Sequence, residues 1–357
     1  MKPIIRLNPL TLKKLKRFRS IKRGYYSFLI FVGMVILSIF AAFYINSRAL
    51  VVRYHGEYFF PVLSGFHSGD EFGLGYPYEA NYRELKKQWE TQSEDNWLLM
   101  PLVPYNPYEN EAYQGYLRPA PPLETGHLLG TDSTGRDILA RLVYGFRIAI
   151  FFSLAYMLLT YLIGVAIGCL MGYFGGLFDL IFQRLIEIWS NMPFLYTVII
   201  VFSVTPSTVG TGFRASILLL ILVLFSWTGM TYYMRTGTYR EKARDYVAAA
   251  QVLGASTTRI IFTHILPNTL SIIVTFMPFT VVGGITVITA LDFIGFGLPP
   301  PTPSIGEMLK QGTANLRVAP WIVTSAFASL VLVLTLVTFI GEAVREAFDP
   351  RKYTYYK

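Results

Sequence analysis

The sequence has little cysteine, little charge and none of the common catalytic motifs. Its 357 residues include one cysteine, Cys169, and only 15% charged side chains. A single thiol forms no disulfide within the chain and no multi-thiolate metal site. HExxH, GxSxG and Walker motifs are absent. We therefore expect no catalytic residue, metal or cofactor in this chain, and a zinc site of His55, His67 and His127 is the disfavoured alternative.

Apolar residues dominate what is present. They make up 53% of the chain, and the mean hydropathy is +0.44, which is typical of a polytopic membrane protein rather than a soluble domain. A helix needs about 20 mostly apolar residues to cross a bilayer. The fold class predicted is therefore an all-α membrane protein, and Pro193 should kink its third helix. The six predicted transmembrane helices cover 25–45, 145–173, 180–204, 214–234, 267–291 and 320–341.

The positive charge is concentrated before the first apolar run. Its members are Lys2, Arg6, Lys13, Lys14, Lys16, Arg17, Arg19, Lys22 and Arg23, with no acid among them. The positive-inside rule places this cluster in the cytoplasm, so six crossings leave both termini cytoplasmic. Interleaved apolar residues favour an interfacial helix on anionic lipid over a nucleic-acid-binding arm. The predicted parts are a basic segment 1–24, a first helix 25–45, a periplasmic insert 46–143, a core 144–341 and a cytoplasmic tail 342–357.

The insert between the first two helices carries more acidic than basic residues. The run VVRYHGEYFF, from Val51 to Phe60, has a strand-like composition. A stretch rich in proline and tyrosine, from Pro101 to Pro122, favours an irregular packed loop. We expect a small folded extracytoplasmic domain. Its aromatic side chains suit either its own core or a surface for a partner, and both interpretations stay open.

One sizeable polar stretch interrupts the apolar C-terminal half, DYVAAAQVLGASTTRIIFTHILPN from Asp245 to Asn268. Counting helices places it on the cytoplasmic side, in a predicted loop 235–266. The three alanines favour a small-faced helical turn, and Gly254 allows a sharp bend. Leu266-Pro267 suits the first turn of the next helix. Such a stretch is either an ordinary loop or a stiff, bent helix pair that a partner protein can approach closely.

Three further motifs accompany the helices. HLLGTDSTGRD, His127–Asp137, imitates a phosphate loop but lacks the lysine and the following Ser/Thr, so we exclude nucleotide binding there. Leu291–Leu309 is rich in glycine and proline and predicts a tight loop that ends the fifth helix. Gly164, Gly168 and Gly172 stand four residues apart, a spacing that predicts close helix packing in a membrane.

These motifs, in this order, resemble the dipeptide and oligopeptide permeases of bacterial ABC importers. The Asp245 stretch is similar to the family's EAA coupling loop, although Ala248 replaces the glutamate and His264 the isoleucine. Leu129–Arg147 is similar to the family run LGTDxxGRDxxxRLxxGxR before the second helix. Leu291–Leu309 resembles the family's outer loop with Ile305 at the tryptophan position, and Gly341–Arg351 resembles its C-terminal ending.

The resemblance implies the type I importer permease fold and two sets of site residues. The set that contacts the ATPase is Asp245, Tyr246, Ala248, Ala249, Ala250, Gly254, Ala255, Ser256, Arg259, Leu266 and Pro267. The structural set at the outer mouth is Gly130, Thr131, Asp132, Gly135, Arg136 and Asp137, with the charged members in a local network.

The resemblance also implies partners and a location. They are a second homologous permease in a heterodimer, ATPase subunits that hold ATP and magnesium, a periplasmic peptide-binding protein and the lipids of the bacterial inner membrane. Within the family, the insert resembles that of Yej-type permeases, which implies uptake of peptides and of microcin C-like conjugates. The alternative is an ion-coupled secondary transporter of small solutes, which would usually show intramembrane acids or broken helices in repeated halves.

Overall fold

A computed structural model describes residues 9–91, 95–206 and 208–349. Residues 1–8 of the predicted basic segment and 350–357 of the predicted tail lie outside this description. The helices of the bundle and of its loop end are α1 Pro9–Ser20, α2 Lys22–Ile39, α5 Ile138–Phe174, α6 Gly176–Ser190, α7 Phe194–Val204, α8 Thr211–Lys242, α9 Asp245–Val252, α10 Thr257–Arg259, α11 Leu266–Ile294 and α13 Pro320–Phe348. The others are α3 Pro61–Ser64, α4 Tyr82–Thr91 and α12 Ile305–Ala314, with strands β1 Val51–Tyr54, β2 Glu57–Phe59 and β3 Trp97–Leu99.

Five helices in the described chain are long and apolar enough to cross a membrane. They are α2, α5, α8, α13 and the continuous helical segment Thr257–Ile294 that ends with α11. A sixth span exists only if α6 and α7 count as one, because these two helices meet at 69°. Their break precedes Pro193, which lacks a backbone N–H. The predicted kink is therefore a break between two separate helices.

Several helices extend past the bounds predicted from hydropathy. α5 begins at Ile138 instead of 145, α8 continues to Lys242 instead of 234, and α13 continues to Phe348 instead of 341. α2 is shorter than predicted at its C-terminal end, since it ends at Ile39 instead of 45 and a 3-10 turn follows. Helical hydrogen bonds continue after the apolar run stops, whereas hydropathy locates only the lipid-facing part. The predicted loop 235–266 consequently begins at Ala243, after the end of α8.

The most extensive contact between helices joins α5 to α8 along the predicted glycine stripe. A Cβ added to Gly164 would lie 2.8 Å from the carbonyl oxygen of Trp227, and one on Gly168 would lie 2.6 Å from that of Thr231. Gly172 approaches Arg235 and Thr238 in the same way. Because these three positions of α5 have no side chain, the backbones of α5 and α8 come close enough for extensive van der Waals contact. The small-residue prediction is confirmed.

The bundle has two distinct ends. The insert end carries residues 46–91 and 95–137, and the loop end carries Asp245–Pro267. The last turns of α13 lie at the loop end, beside α1 and the start of α2, where Arg23 pairs with Glu342 at 2.9 Å. The described parts of both terminal regions and the polar stretch therefore share one end, as the count of helices predicted.

The insert is a small domain with its own core. Its sheet has the order β2-β1-β3, with Val52 opposite Phe59 on one side and Leu98 on the other. Behind the sheet, Tyr54 stacks on Trp89 of α4 with ring centroids 5.5 Å apart. The predicted strand composition and the irregular 101–122 stretch are both confirmed. Part of the aromatic set forms this core, while other members, such as Phe60, remain exposed.

We predict that Gly168→Ala destabilises the protein and that Gly229→Ala does not. The new methyl group at residue 168 would overlap the backbone of α8, and overpacking of this kind costs about 1–3 kcal/mol. An added Cβ at Gly229, also on a membrane helix, meets nothing within 4 Å. Thermal unfolding of the detergent-solubilised protein measures the difference, and equal Tm values for the two variants would contradict the packing role of the stripe.

Candidate functional site

The polar stretch at the loop end is a bent helix pair. α9 ends at Val252, Gly254 reverses the chain with a φ of +77°, and α10 continues through a π-helical turn, Ile260–Ile265, into α11. The Ser256 side chain caps α10 by accepting a hydrogen bond from the Arg259 N–H at 3.4 Å. Pro267 lies in the first turn of α11. The predicted turn, bend and helix start are all confirmed.

One face of α9 is fixed to the membrane helices. Val247 and Ala250 are buried against Ile260 and Ile265, and the ring of Tyr173 at the end of α5 packs on this cluster. Buried apolar contacts of this kind hold a helix that is too short to be stable alone. α9 is therefore seated against the ends of α5 and α11.

Tyr246 adds a polar connection among α8, α9 and α11. Its hydroxyl donates to the carboxylate of Glu241 at 2.8 Å and accepts from the Asn268 amide at 3.2 Å. Glu241 also lies 3.9 Å from Arg244. Burial raises the pKa of Tyr246, and its hydrogen bond to Glu241 adds to the rise. The tyrosine thus keeps its proton and its role as a donor.

The opposite face of the pair is open. Ala248, Ala249 and Gly254 are exposed, and an added Cβ at Gly254 meets no atom within 4 Å. At the tip, Val252 is 87% exposed and Leu253 is 86% exposed. Apolar side chains with so little cover favour contact with another protein. The sequence analysis did not include these two residues in the predicted contact set. The available signal was the apolar pair Val-Leu directly before a glycine in an otherwise polar stretch.

The outer-mouth motif forms a buried ionic network at the insert end. Asp132 receives a hydrogen bond from the Arg136 guanidinium at 2.8 Å and lies 3.3 Å from Arg141. Glu307 of α12 pairs with Arg136 at 3.2 Å and with Arg141 at 2.5 Å. All four side chains are buried, and two acids balance two bases. Buried charges need such pairing, because an isolated one is very costly.

Arg141 and Glu307 were missed in the sequence, together with α12. The prediction placed a loop over Leu291–Leu309, and the loop does end α11, but helix starts again at Ile305. Ser304 caps this helix by accepting from the N–H groups of Gly306 and Glu307. The Ser-Ile-Gly-Glu run after the prolines was the available signal, since serine precedes helix starts and acids favour the first turn.

Asp137 takes a different position from the one predicted. It caps α5 by accepting from the Ala140 N–H at 2.7 Å, and its other oxygen lies 2.8 Å from Nδ1 of His127. Glu111 lies 3.1 Å from Nε2 of the same ring. The predicted local charge network is thus right for Asp132 and Arg136, whereas Asp137 belongs to a histidine cluster.

The His127 ring titrates above its ordinary range. Burial lowers its pKa, but the hydrogen bonds and charges of Asp137 and Glu111 outweigh that effect and raise it to about 9. The bond to His127 in turn lowers the pKa of Glu111. This cluster joins the insert to the start of α5. Among the described residues, no group of three His, Cys, Asp or Glu side chains is placed to hold a metal.

Two glycines fix the backbone of the motif. Gly130 and Gly135 have φ values of +75° and +81°, which disfavour any residue with a side chain. A Cβ on Gly135 would also lie 2.1 Å from the carbonyl oxygen of Glu111. Thr131 completes the loop, since its hydroxyl accepts from the Ala120 N–H at 2.7 Å. Six predicted residues therefore fold into one loop, bound to the insert and to α12.

The chain belongs to the family of inner-membrane components of binding-protein-dependent transport systems, whose sequence profile matches residues 164–353. It is 40% identical to the inner membrane ABC transporter permease protein YejE of Escherichia coli over 97% of this chain and 99% of the relative. It is 39% identical to the peptidoglycan transport system permease protein YejE of Agrobacterium fabrum over 97% and 94%. With the oligopeptide transport system permease protein OppC of Lactococcus lactis the identity is 37% over 65% and 78%.

Family membership confirms the resemblance and makes the chain a multi-pass membrane permease subunit rather than an enzyme. It also rules out the ion-coupled secondary transporter. α6 carries one such acid, Glu187, which pairs with Arg184 at 2.5 Å in a largely exposed ion pair.

We predict that Glu307→Gln strongly destabilises the protein. The substitution leaves Arg136 and Arg141 buried with a single acid, and removing one partner of a buried ion pair costs about 3–5 kcal/mol. The control is Glu90→Gln, whose ion pair with Lys86 is exposed and contributes little. Thermal unfolding in detergent measures both variants. A Tm for Glu307→Gln as high as that of the control would show that the network is not required.

We predict that stability falls as the pH rises from about 6.5 to 9. The folded-state pKa of His127, about 9, lies above its ordinary value of 6.5. The protonated ring therefore stabilises the fold fully below 6.5, and this contribution is lost as the pH rises through 9. His127→Gln should remove this part of the slope in Tm against pH. An unchanged slope in the variant would assign the pH dependence to other groups.

Proposed function

We propose that the chain is the membrane-spanning permease subunit of an ATP-driven importer for peptides, with the α9–α10 helix pair as its contact to an ATPase subunit. The observation that carries the proposal is the shape of this pair. It has an open face of small residues, an apolar tip at Val252 and Leu253, and a buried face fixed to the membrane helices. A partner can therefore approach closely and press on a rigid part of the bundle.

The proposed orientation places the loop end in the cytoplasm. The basic helix α1 lies at that end, and the positive-inside rule favours lysine and arginine on the cytoplasmic side. Both termini would then be cytoplasmic and the insert periplasmic.

The proposed mechanism transmits movement of the ATPase through α9. Because Tyr246 and the Val247 cluster tie α9 to α5, α8 and α11, a shift of α9 moves these helices as a unit. The ATPase subunits would bind ATP more tightly in one of their conformations. ATP would therefore favour the arrangement of the bundle that pairs with that ATPase conformation. ATP and magnesium would lie in the ATPase subunits, and no step requires a cofactor in this chain.

The proposed partners are a second, homologous permease, the ATPase subunits and a periplasmic protein that delivers the substrate. Family membership supports the delivery protein, because the family serves binding-protein-dependent systems. The exposed faces of the membrane helices leave room for the second permease. The heterodimer itself is a proposal from family resemblance.

Peptides are the substrate class that the relatives support best. One relative is named for oligopeptide transport and another, in Haemophilus influenzae, for dipeptide transport. The Agrobacterium fabrum relative is named for peptidoglycan transport, which favours peptide-bearing cell-wall fragments as a second candidate. Microcin C-like conjugates are a further cargo that the Yej-type resemblance suggests.

A pull-down of the tagged chain from native membranes in mild detergent tests the proposal. Co-purification of an ATPase and a second permease, together with ATP-dependent uptake of a labelled tripeptide by vesicles that hold the complex, would support it. A chain that purifies alone in several mild detergents, or uptake driven by an ion gradient without ATP, would overturn it.

We predict that Leu253→Asp abolishes recovery of the ATPase and peptide uptake while the protein still inserts and folds. The side chain is 86% exposed, so the charge disturbs no internal contact but would be buried unpaired in the interface. The matched control is Leu102→Asp, an 83% exposed leucine of the insert. Ala249→Glu should behave like Leu253→Asp. Normal uptake by both loop-end variants would disprove the contact.

A further inference from the structure

A cavity of about 650 Å³ opens at the insert end of the bundle, beside the ionic network, and the proposed function does not use it. It lies among the end of α7, the start of α8, the loop after α11 and α12. Two acids and two bases line it, namely Asp292, Glu307, Arg214 and Lys310. The two acids already accept hydrogen bonds or ion pairs from groups inside the protein, whereas the two bases have no acidic partner in the described parts of the chain.

Both acids are satisfied within the protein. Glu307 is neutralised by Arg136 and Arg141 in the buried network. Asp292 accepts from the Leu298 N–H at 2.7 Å and from the hydroxyl of Ser304. Their oxygens therefore face internal donors, and neither acid is available to pair with a base of the cavity.

The bases are in the opposite situation. Throughout residues 9–91, 95–206 and 208–349, neither Arg214 nor Lys310 has an acidic partner within 4.0 Å. Nε of Arg214 is buried and makes no hydrogen bond. The guanidinium instead lies 5.8 Å from the ring centroid of Phe202. The cavity therefore has two bases without an acidic partner among these residues, against one acid, Asp292, that is hydrogen-bonded only to neutral donors.

The position of Arg214 makes this lack of a partner costly. It stands in the first turn of α8, a helix of 32 residues with no acid in that turn. A cation at a helix N-terminus opposes the helix dipole, and a buried, unbonded N–H loses its hydration without replacement. A bound anion would relieve both penalties. Residues that break local rules in this way are expected at functional sites.

We propose that this cavity binds the C-terminal carboxylate of the incoming peptide through Arg214 and Lys310. The inference rests on the proposed function, since it names a substrate group for a peptide permease. Arginine and lysine are the usual partners of a carboxylate, and the arginine fork can hold both oxygens. The cavity volume lies within the range of small-ligand sites, about 300–1,000 Å³. The other charged residues of the lining, Asp292 and Glu307, already accept hydrogen bonds from donors inside the protein.

The test compares ATP-driven uptake of trialanine as the free acid and as the C-terminal amide, in vesicles that hold the whole importer with its delivery protein. Selectivity of the delivery protein is the same for every permease variant and cancels in the ratio of acid to amide uptake. Arg214→Gln/Lys310→Gln should lower that ratio about tenfold, as expected when a charged hydrogen bond is lost. Retained amide uptake would show that this variant folds.

The matched control is Arg214→Lys/Lys310→Arg, which keeps both charges and should keep most of the acid preference. Lys310→Gln alone, at an exposed side chain of α12, repeats the test if the double variant fails to assemble. Equal loss of acid and amide uptake would assign the two bases a structural role and overturn the proposal. An unchanged ratio of acid to amide uptake would also overturn the proposal. If the stability of the protein then depended on anionic lipid, the two bases would be assigned to binding a lipid headgroup.

Failure of this inference is distinct from failure of the proposed function. In the first case the wild type takes up both peptides with ATP, and the ratio is insensitive to Arg214 and Lys310. In the second case the wild type takes up neither peptide with ATP.

Discussion

The close contact between α5 and α8 is the constraint on which the two functional regions depend. α5 starts at the ionic network, and Tyr173 in its last turn packs on the α9 cluster. Arg214 lies in the first turn of α8, and Glu241 in its last turn binds Tyr246. Because three glycines remove the side chains between these helices, the pair is held along much of its length. A displacement at one end therefore reaches the other without passing through a flexible connection.

The insert end and the loop end of the bundle are stabilised by different kinds of contact. At the insert end, charges are buried but paired, and the network binds α5, α12 and the insert into one unit. Such networks favour a single arrangement more than they add stability. At the loop end, apolar contacts hold one face of α9 while the other face remains open. The insert end is therefore fixed by internal charge pairs, whereas the loop end presents an open surface of the kind that favours contact with a partner protein.

The sequence predicted the elements whose signals are local. Apolar runs located the five long membrane helices and the broken pair α6 and α7. Gly254 and Pro267 located the bend and the helix start, and the glycine spacing predicted the packing. It did not predict that Asp137 would bind His127 rather than Arg136, or that Glu307 would close the network across 171 residues of sequence. Those contacts depend on how α12 folds back against α5. No periodicity or motif in either segment records that long-range arrangement.

The limits of hydropathy explain the other differences. α8 remains helical to Lys242 because backbone hydrogen bonds continue in water once the chain has left the apolar layer. This extension is what brings Glu241 to Tyr246 and lets the last turn of α8 support α9. A helix that ended at residue 234, as the apolar pattern predicts, would leave α9 without its contacts to α8. In the proposed mechanism, the polar last turns of α8, which hydropathy does not detect, are therefore as necessary to coupling as the membrane-spanning part.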